Sequence, residues 1–428
     1  MTTTTATTFA DASVNDRLLD RSWKVPIALG IFALLGILLF VVLGRGGHAT
    51  LSFTASQANS MKLPLLVVPT RVTGVVVAVL GALLAIGSAV LVGRDTRVPR
   101  WYIAIFGVVL VFGFLVWATT NHTLPITSLL VGSLALSVPL IFGALGGVIS
   151  ERVGIVNVAI EGQLLAGAFV SAVAATISHS LWIGVLAAMI AGMLVSFVLA
   201  AFAISYVVDQ VIVGIVLNVL VLGLTTFLYA TVLVNDSSGL NSPPQFTEFD
   251  IPLLSQIPII GPVLFRQTII VYLMYIAVVA IFVGLFYTRW GLRLRSVGEH
   301  PQAADTVGIN VPRTRFWNVA LAGAIVGLGG SYFTLGSVGS FSQNITSGAG
   351  FIGLAAVIFG GWHPLKATLA ALLFGFASNL QNVLGILGSP VPSDILLMLP
   401  YVVTIFAVAG VVGRVRGPAA AGRSYVKL

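Results

Sequence analysis

Long apolar runs alternate with short polar ones along almost the whole chain. A helix that crosses a bilayer needs roughly 20 predominantly apolar residues. Runs of that kind fall at 25–43, 72–92, 101–119, 129–148, 158–177, 181–205, 211–234, 268–287, 316–336, 365–384 and 395–413. A twelfth run, 350–361, is too short to cross alone. It predicts a half-helix preceded by irregular chain, which is tolerated only where protein or a water-filled path covers the backbone. The expected fold class is therefore all-α: a polytopic membrane helix bundle of about 12 apolar segments, or 10–12 spans, with 350–384 forming either two spans or a re-entrant element.

The polar segments carry the topology. Starting with the N-terminus inside and alternating, the inner segments hold 17 of the 21 basic residues and the outer segments hold only Arg45, Lys62, Arg71 and Arg266. Positive charge collects on the cytoplasmic side of membrane proteins, so both termini are expected there. The longest charged inner segment is 289–315, framed by Arg289, Arg293, Arg295, Arg313 and Arg315. The outer segment 235–267 is rich in Pro, Ser and Asn and carries Asp236, Glu248 and Asp250, which predicts either a plain connector or an ordered external docking loop. Residues 1–24 are Thr-rich and polar, with Asp11, Asp16 and Asp20, unlike a signal peptide, and predict a disordered cytoplasmic tail. The first three runs, 25–120, lack ionisable residues in their apolar cores and look like an addition to a core at 129–413, with a break near 121–127 and a basic tail at 414–428.

Composition agrees with a membrane protein. Hydrophobic residues make up 58% of the 428 and charged ones 8%, against about 25% charged in a soluble domain. The net charge of +8 follows the topology, so no nucleic-acid partner is expected; the partner common to the whole chain is the lipid bilayer. Cysteine is absent, which excludes disulfides and thiolate chemistry. None of the four lysines follows a glycine, so there is no phosphate-binding Gly-Lys-Ser/Thr loop. No histidine pair or carboxylate pair suggests a metal or hydrolytic site, so neither a catalytic residue nor a cofactor is expected.

The candidate chemistry is polar and sparse. Asn157 is placed to N-cap the helix that follows, with Glu161 in its first turn. Gly162, Ala166 and Gly167 suit close helix packing, as do the pairs Gly143/Gly147 and Gly323/Gly327. The stretch Gly162–Ala168 echoes Gly350–Ala356, and each follows an irregular segment with an asparagine, Asn157 and Asn344. Such repeats in transporters flank a site near the midplane, so 157–163 and 344–351 are expected to face each other. Candidates to border a translocation path are Asn157, Glu161, Gln163, Asn344, Phe351, Asn379 and Asn382, with interhelical bonding as the other use of these amides. Phe341, Phe351 and Trp362 are candidates to stack on a base or sugar. An ion-coupled carrier remains an alternative, although few carboxylates lie at membrane depth.

The run SERVGIVNVAIEGQLLAGAF, 150–169, resembles the signature of permease subunits of ATP-binding-cassette importers, in the branched-chain amino acid and simple-sugar permease superfamily. Ser150, Glu151, Arg152, Gly154, Val156, Asn157, Glu161 and Gly162 match its nucleoside-type form, and 291–311 and 350–375 resemble two further blocks. The resemblance spans about 129–413 and leaves the first three runs outside it. It implies a transmembrane subunit without its own ATPase, working with a second permease chain, often a different one. Two cytoplasmic ATPases and an external substrate-binding lipoprotein would complete the importer, in a bacterial plasma membrane. The implied solute is a nucleoside; a simple sugar or a branched-chain amino acid is the alternative. The resemblance also implies that a short helix within 299–308 docks on the ATPase. Ala303, Ala304 and Gly308 would be its small contact residues, with Glu299, His300 and Asp305 beside them.

Overall fold

The computed structural model describes residues 23–54, 63–96, 98–388, 391–392, 395, 398 and 417–426. The expected final span at 395–413 and most of the N-terminal tail lie outside the described residues. Among those described, ten helices are long and apolar enough to cross a membrane. The expected helical bundle is what the sequence forms.

The chain divides into two compact units, 1–49 with 67–121 and 50–66 with 122–428. The first holds α1 (Lys24–Ile37), α2 (Thr70–Gly93) and α3 (Arg100–Ala118). Their contacts are made by Leu29, Ala33, Ala85 and Phe106, and by Phe40 lying against Gly74 and Gly113. The Trp117 indole donates to the Leu43 carbonyl (3.0 Å), and the Tyr102 hydroxyl to that of Leu84 (2.7 Å).

The second unit contains α4 (Ile126–Arg152), α5 (Ile160–Ser178), α6 (Leu181–Ala200) and α7 (Gln210–Leu228). Two short turns follow, α8 (Ser237–Leu240) and α9 (Ile260–Leu264). Then come α10 (Ile269–Tyr287), α11 (Arg289–Glu299), α12 (Pro301–Thr306), α13 (Val311–Ser331), α14 (Ala349–Phe359) and α15 (Pro364–Ile386). The spans containing α4, α5 and α13 are 72%, 67% and 78% buried, whereas the others are 39% buried or less. Three helices thus make the centre, and the rest present apolar faces outward, as lipid requires.

Small residues let the central backbones touch. A methyl group on Gly327 of α13 would overlap the Ala188 carbonyl of α6, and one on Gly167 of α5 would overlap Gly327. Gly192 and Gly323 meet in the same seam. In hydrocarbon this close packing replaces the hydrophobic drive that holds soluble helices together. Gly327→Val is expected to cost about 1–3 kcal/mol or more, because rigid backbone lies on the opposing side. A thermal melt of the purified chain in detergent checks this; an unchanged midpoint would show that the seam has slack.

The outer segment 235–267 is ordered. Phe249–Asp250 pairs antiparallel with Arg266–Gln267, and Arg266 reaches Glu248 and Asp250 at 3.0 and 3.2 Å.

The short apolar run forms α14, an 11-residue helix about 16 Å long, against about 40 Å for the 27 residues of α4. Gly353 packs at Leu140 and Ala144, Val357 at Gly147, and Trp362 at Glu151. So α14 covers only the C-terminal half of α4. The other half of its path is irregular chain, 338–348, as the sequence leads one to expect.

Candidate functional site

Two breaks in helical geometry meet in the second unit. The first is 153–159, between α4 and α5. Its free backbone groups are taken up by amides of α7. Gln210 Oε1 accepts from Val156 N (2.7 Å), while Asn218 accepts from Gly162 N (2.8 Å) and donates to the Val158 carbonyl (2.8 Å). Asn157 does not N-cap α5. The helix begins after Ala159, and the Asn157 amide exchanges two hydrogen bonds with Gln163, at 3.1 and 3.2 Å. Gln163 also donates to the Ser196 hydroxyl of α6 (3.0 Å). Neither amide has exposed surface, and a buried amide is costly unless paired, so the reciprocal bond prevails over the local cap.

The second break is 338–348, and it is pinned at both ends. At one end the Asn241 side chain accepts from Phe341 N (2.7 Å) and donates to the Phe341 carbonyl (2.9 Å). At the other, the Glu161 carboxylate accepts from the Thr346 hydroxyl (2.6 Å), Gly348 N (2.9 Å) and Gly350 N (2.6 Å). Glu161 lies in the first turn of α5, yet it serves the N-terminus of α14, whose free N–H groups and dipole favour an anion. The segments 157–163 and 344–351 are therefore in direct contact. Phe341 packs on Phe169 (5.1 Å between ring centroids), eight residues further along α5. The irregular run thus descends about 12 Å along that helix.

Between the two pins the chain is polar and open. Ser342, Gln343, Asn344 and Ser347 are exposed, and Phe351 is 49% exposed. Asn344 and Ser347 hold positive φ of 53° and 44°, ahead of Gly348 at 84°. Left-handed backbone at non-glycine residues is sparsely populated and persists where surrounding structure imposes it, commonly at functional sites. The other path candidates have different surroundings. Asn379 is buried and donates to the Leu129 carbonyl of α4 (2.7 Å), an interhelical bond. Asn382 is exposed on α15. Of the three proposed stacking aromatics, Phe341 is buried and Trp362 donates its indole N–H to Glu151, which leaves Phe351 open.

The charged segment 289–315 is two short helices with caps written into the sequence. The Thr288 hydroxyl accepts from Gly291 N at the start of α11, Pro301 opens α12, and the Asn310 side chain caps α13 through Arg313 N (3.0 Å). Leu294 and Val297 bury one face of α11. Ala304 also turns inward, at 3% exposure, and cannot be a contact residue for a docked partner. Helical spacing puts Gln302, Ala303 and Thr306 on the outer side, and Val307 and Gly308 follow at the exposed tip. His300 is exposed; Glu299 lies 3.9 Å from Arg152 and accepts from Ala419 N, and Asp305 bonds Tyr425.

Those last partners belong to a feature that sequence reading missed. Residues 417–426 of the basic tail lie across this end of the unit. Ala420 N donates to the Gly298 carbonyl (2.9 Å) and Gly422 N to that of Gly154 (3.3 Å). The Arg423 carbonyl accepts from Arg315 (3.0 Å), which is buried rather than flanking the segment in solvent. The strap has no apolar periodicity, only small residues that let backbone approach backbone.

The two breaks meet inside a bundle of apolar helices long enough to cross a membrane, the build of a multi-pass membrane protein. The family model for the permease component of branched-chain amino acid transport systems matches residues 129–408. The guanosine ABC transporter permease NupQ of Bacillus subtilis is 40% identical over 306 residues, covering 69% of this chain and 95% of that protein. The nucleoside ABC transporter permease NupC of Lactococcus lactis is 40% identical over 300 residues, 68% and 94% of the two chains. A putative glucose ABC transporter permease of Haloferax volcanii, TsgC13, is 32% identical over 244 residues, 56% and 73%. No solved structure matches the chain. The chain belongs to the ABC importer permease family: it is a transport component rather than an enzyme, and it works with an ATPase and other importer components. The match begins at residue 129, beyond the first unit.

Proposed function

We propose that this chain is a permease subunit of a bacterial plasma-membrane importer that carries nucleosides. The observation that supports a path along 342–351 is the exposure of Ser342, Gln343, Asn344 and Ser347 on irregular chain between two apolar helices. Irregular chain there is stable only against protein or a water-filled cavity. A second permease chain, of different sequence, covers that face, and the solute passes between the two. Gln343, Asn344 and Ser347 offer donors and acceptors to ribose and base, and Phe351 offers a ring face for stacking. Asn157, Glu161 and Gln163 border this path from behind, holding its backbone rather than touching solute. The names of the 40%-identical relatives support the nucleoside class.

The arginine-rich end is the cytoplasmic one, by the bias of basic residues. One of two ATPase chains docks at Gln302, Ala303 and Thr306–Gly308 of this chain, with Glu299, His300 and Asp305 at the edge, and the other docks on the companion permease. Both termini lie on the same side. An external lipoprotein delivers the solute to the opposite face.

Competition measures the substrate class. In cells whose uptake depends on this chain, excess unlabelled guanosine or adenosine is expected to abolish labelled nucleoside uptake, and excess glucose or leucine to leave it unchanged. Glucose competing as well as guanosine would move the chain to the sugar carriers, the reading that the Haloferax relative favours.

A further inference from the structure

We propose that the recess between α11 and the first turns of α13 binds the phosphate headgroup of an anionic phospholipid. The recess measures about 520 Å³ and is lined by Trp290, Arg293, Arg313, Thr314, Trp317, Asn318 and Leu321. None of these residues belongs to the exposed run 342–351 or to the tip at 302–308, the segments assigned to the solute path and the ATPase dock.

Its chemistry is graded along α13. At the charged end Arg293 and Arg313 are both exposed, and among the described residues neither has a carboxylate within ion-pair distance. Two unpaired guanidinium groups opening on one cavity favour a phosphate, which accepts their charge-assisted hydrogen bonds. Next come the indoles. Trp290 is fixed by its N–H donating to Asn318 Oδ1 (2.9 Å), while Asn318 Nδ2 is committed to the Thr314 carbonyl (2.7 Å). Trp317 stands edge-on to Phe316 and Phe197 and is 56% exposed. Indoles of this kind prefer the level of lipid headgroups and glycerol. One turn further, Leu321 is 41% exposed, an apolar wall where an acyl chain would lie. A free anion would satisfy the arginines and leave Trp317 and Leu321 uncovered, whereas a phospholipid covers all three levels. Basic pockets beside spanning helices hold anionic headgroups by this combination of charge and interface.

The test uses the full chain purified in detergent, titrated with phosphatidylglycerol and followed by native mass spectrometry. Brominated phosphatidylglycerol serves as a second probe, since it quenches the tryptophans it reaches. The wild type is expected to retain phosphatidylglycerol, to bind phosphatidylcholine at least tenfold more weakly, and to keep its lipid in excess inorganic phosphate. The variant R293A/R313A is expected to lose tenfold or more in phosphatidylglycerol affinity with an unchanged melting temperature, and R293K/R313K to lose less. Should the double alanine variant fail to fold, R293A and R313A singly carry the same comparison. Wild-type affinity in the alanine variants, or equal binding of phosphatidylcholine, would overturn the site. Displacement of the lipid by inorganic phosphate would make it a free-anion site instead.

Discussion

Replacing Glu161 by alanine is expected to abolish solute uptake and to lower the melting temperature of the chain by several degrees. The carboxylate is the single acceptor for three donors, Thr346 Oγ1, Gly348 N and Gly350 N. A hydrogen bond to a charged group contributes roughly 1.5–3 kcal/mol, and each buried donor left without a partner costs about 1–3 kcal/mol. Over three donors the loss is about 3–9 kcal/mol, concentrated at the N-terminus of α14. That end fixes where the exposed run 342–347 stands, so the path is disordered together with its support. Glu161→Gln keeps one carbonyl acceptor and is expected to fall between alanine and wild type. Thr346→Val removes one of the three donors to this carboxylate and is expected to cost about 1.5–3 kcal/mol. Melting curves and vesicle uptake of the three variants check the ranking. Normal uptake by Glu161→Ala would show that α14 holds its place without this carboxylate.

The second large effect is expected at the tip of the charged segment. Val307 is 75% exposed and Ala304 only 3%, three residues apart. A lone valine held out at a helix end is a natural anchor for a hydrophobic pocket on the ATPase. Val307→Glu is expected to leave the melting temperature of the chain unchanged and to weaken ATPase docking by about thirtyfold, the size of a 2 kcal/mol hot spot. Ala304→Glu is expected to do the reverse first: it buries a charge in the core of the segment and unfolds α12. Co-purification of the ATPase with each variant, together with its melting curve, separates the two. Intact docking of Val307→Glu would remove the tip from the interface.

These two sites also show what the sequence could convey. Apolarity adds up over twenty residues, so the long helices were plain, and the deficit at 350–361 was enough to mark α14 as half a span. The echo between 162–168 and 350–356 points to 157–163 and 344–351 as facing segments, and the structure puts these in contact through Glu161. What stayed hidden depended on partners far along the chain. Asn157 has the residue type and position of an N-cap, but a tertiary environment that excludes water gave its amide to Gln163. The inward turn of Ala304 depends on where α12 lies against α13, and alanine has no polarity to betray its side. Asn241 finds Phe341 a hundred residues away. The strap at 417–426 carries no periodic signal because it is held by backbone bonds, which any small residue could make.

Reconstitution tests most directly whether this chain passes nucleosides using ATP hydrolysed on another subunit. Proteoliposomes would contain the chain with its companion permease and ATPase, with the external binding protein supplied on the side opposite ATP. Labelled guanosine is expected to accumulate only with hydrolysable ATP, and to stop when the ATPase is omitted. Accumulation by this chain alone under a sodium or proton gradient, without any ATPase, would contradict the account and make it an ion-coupled carrier.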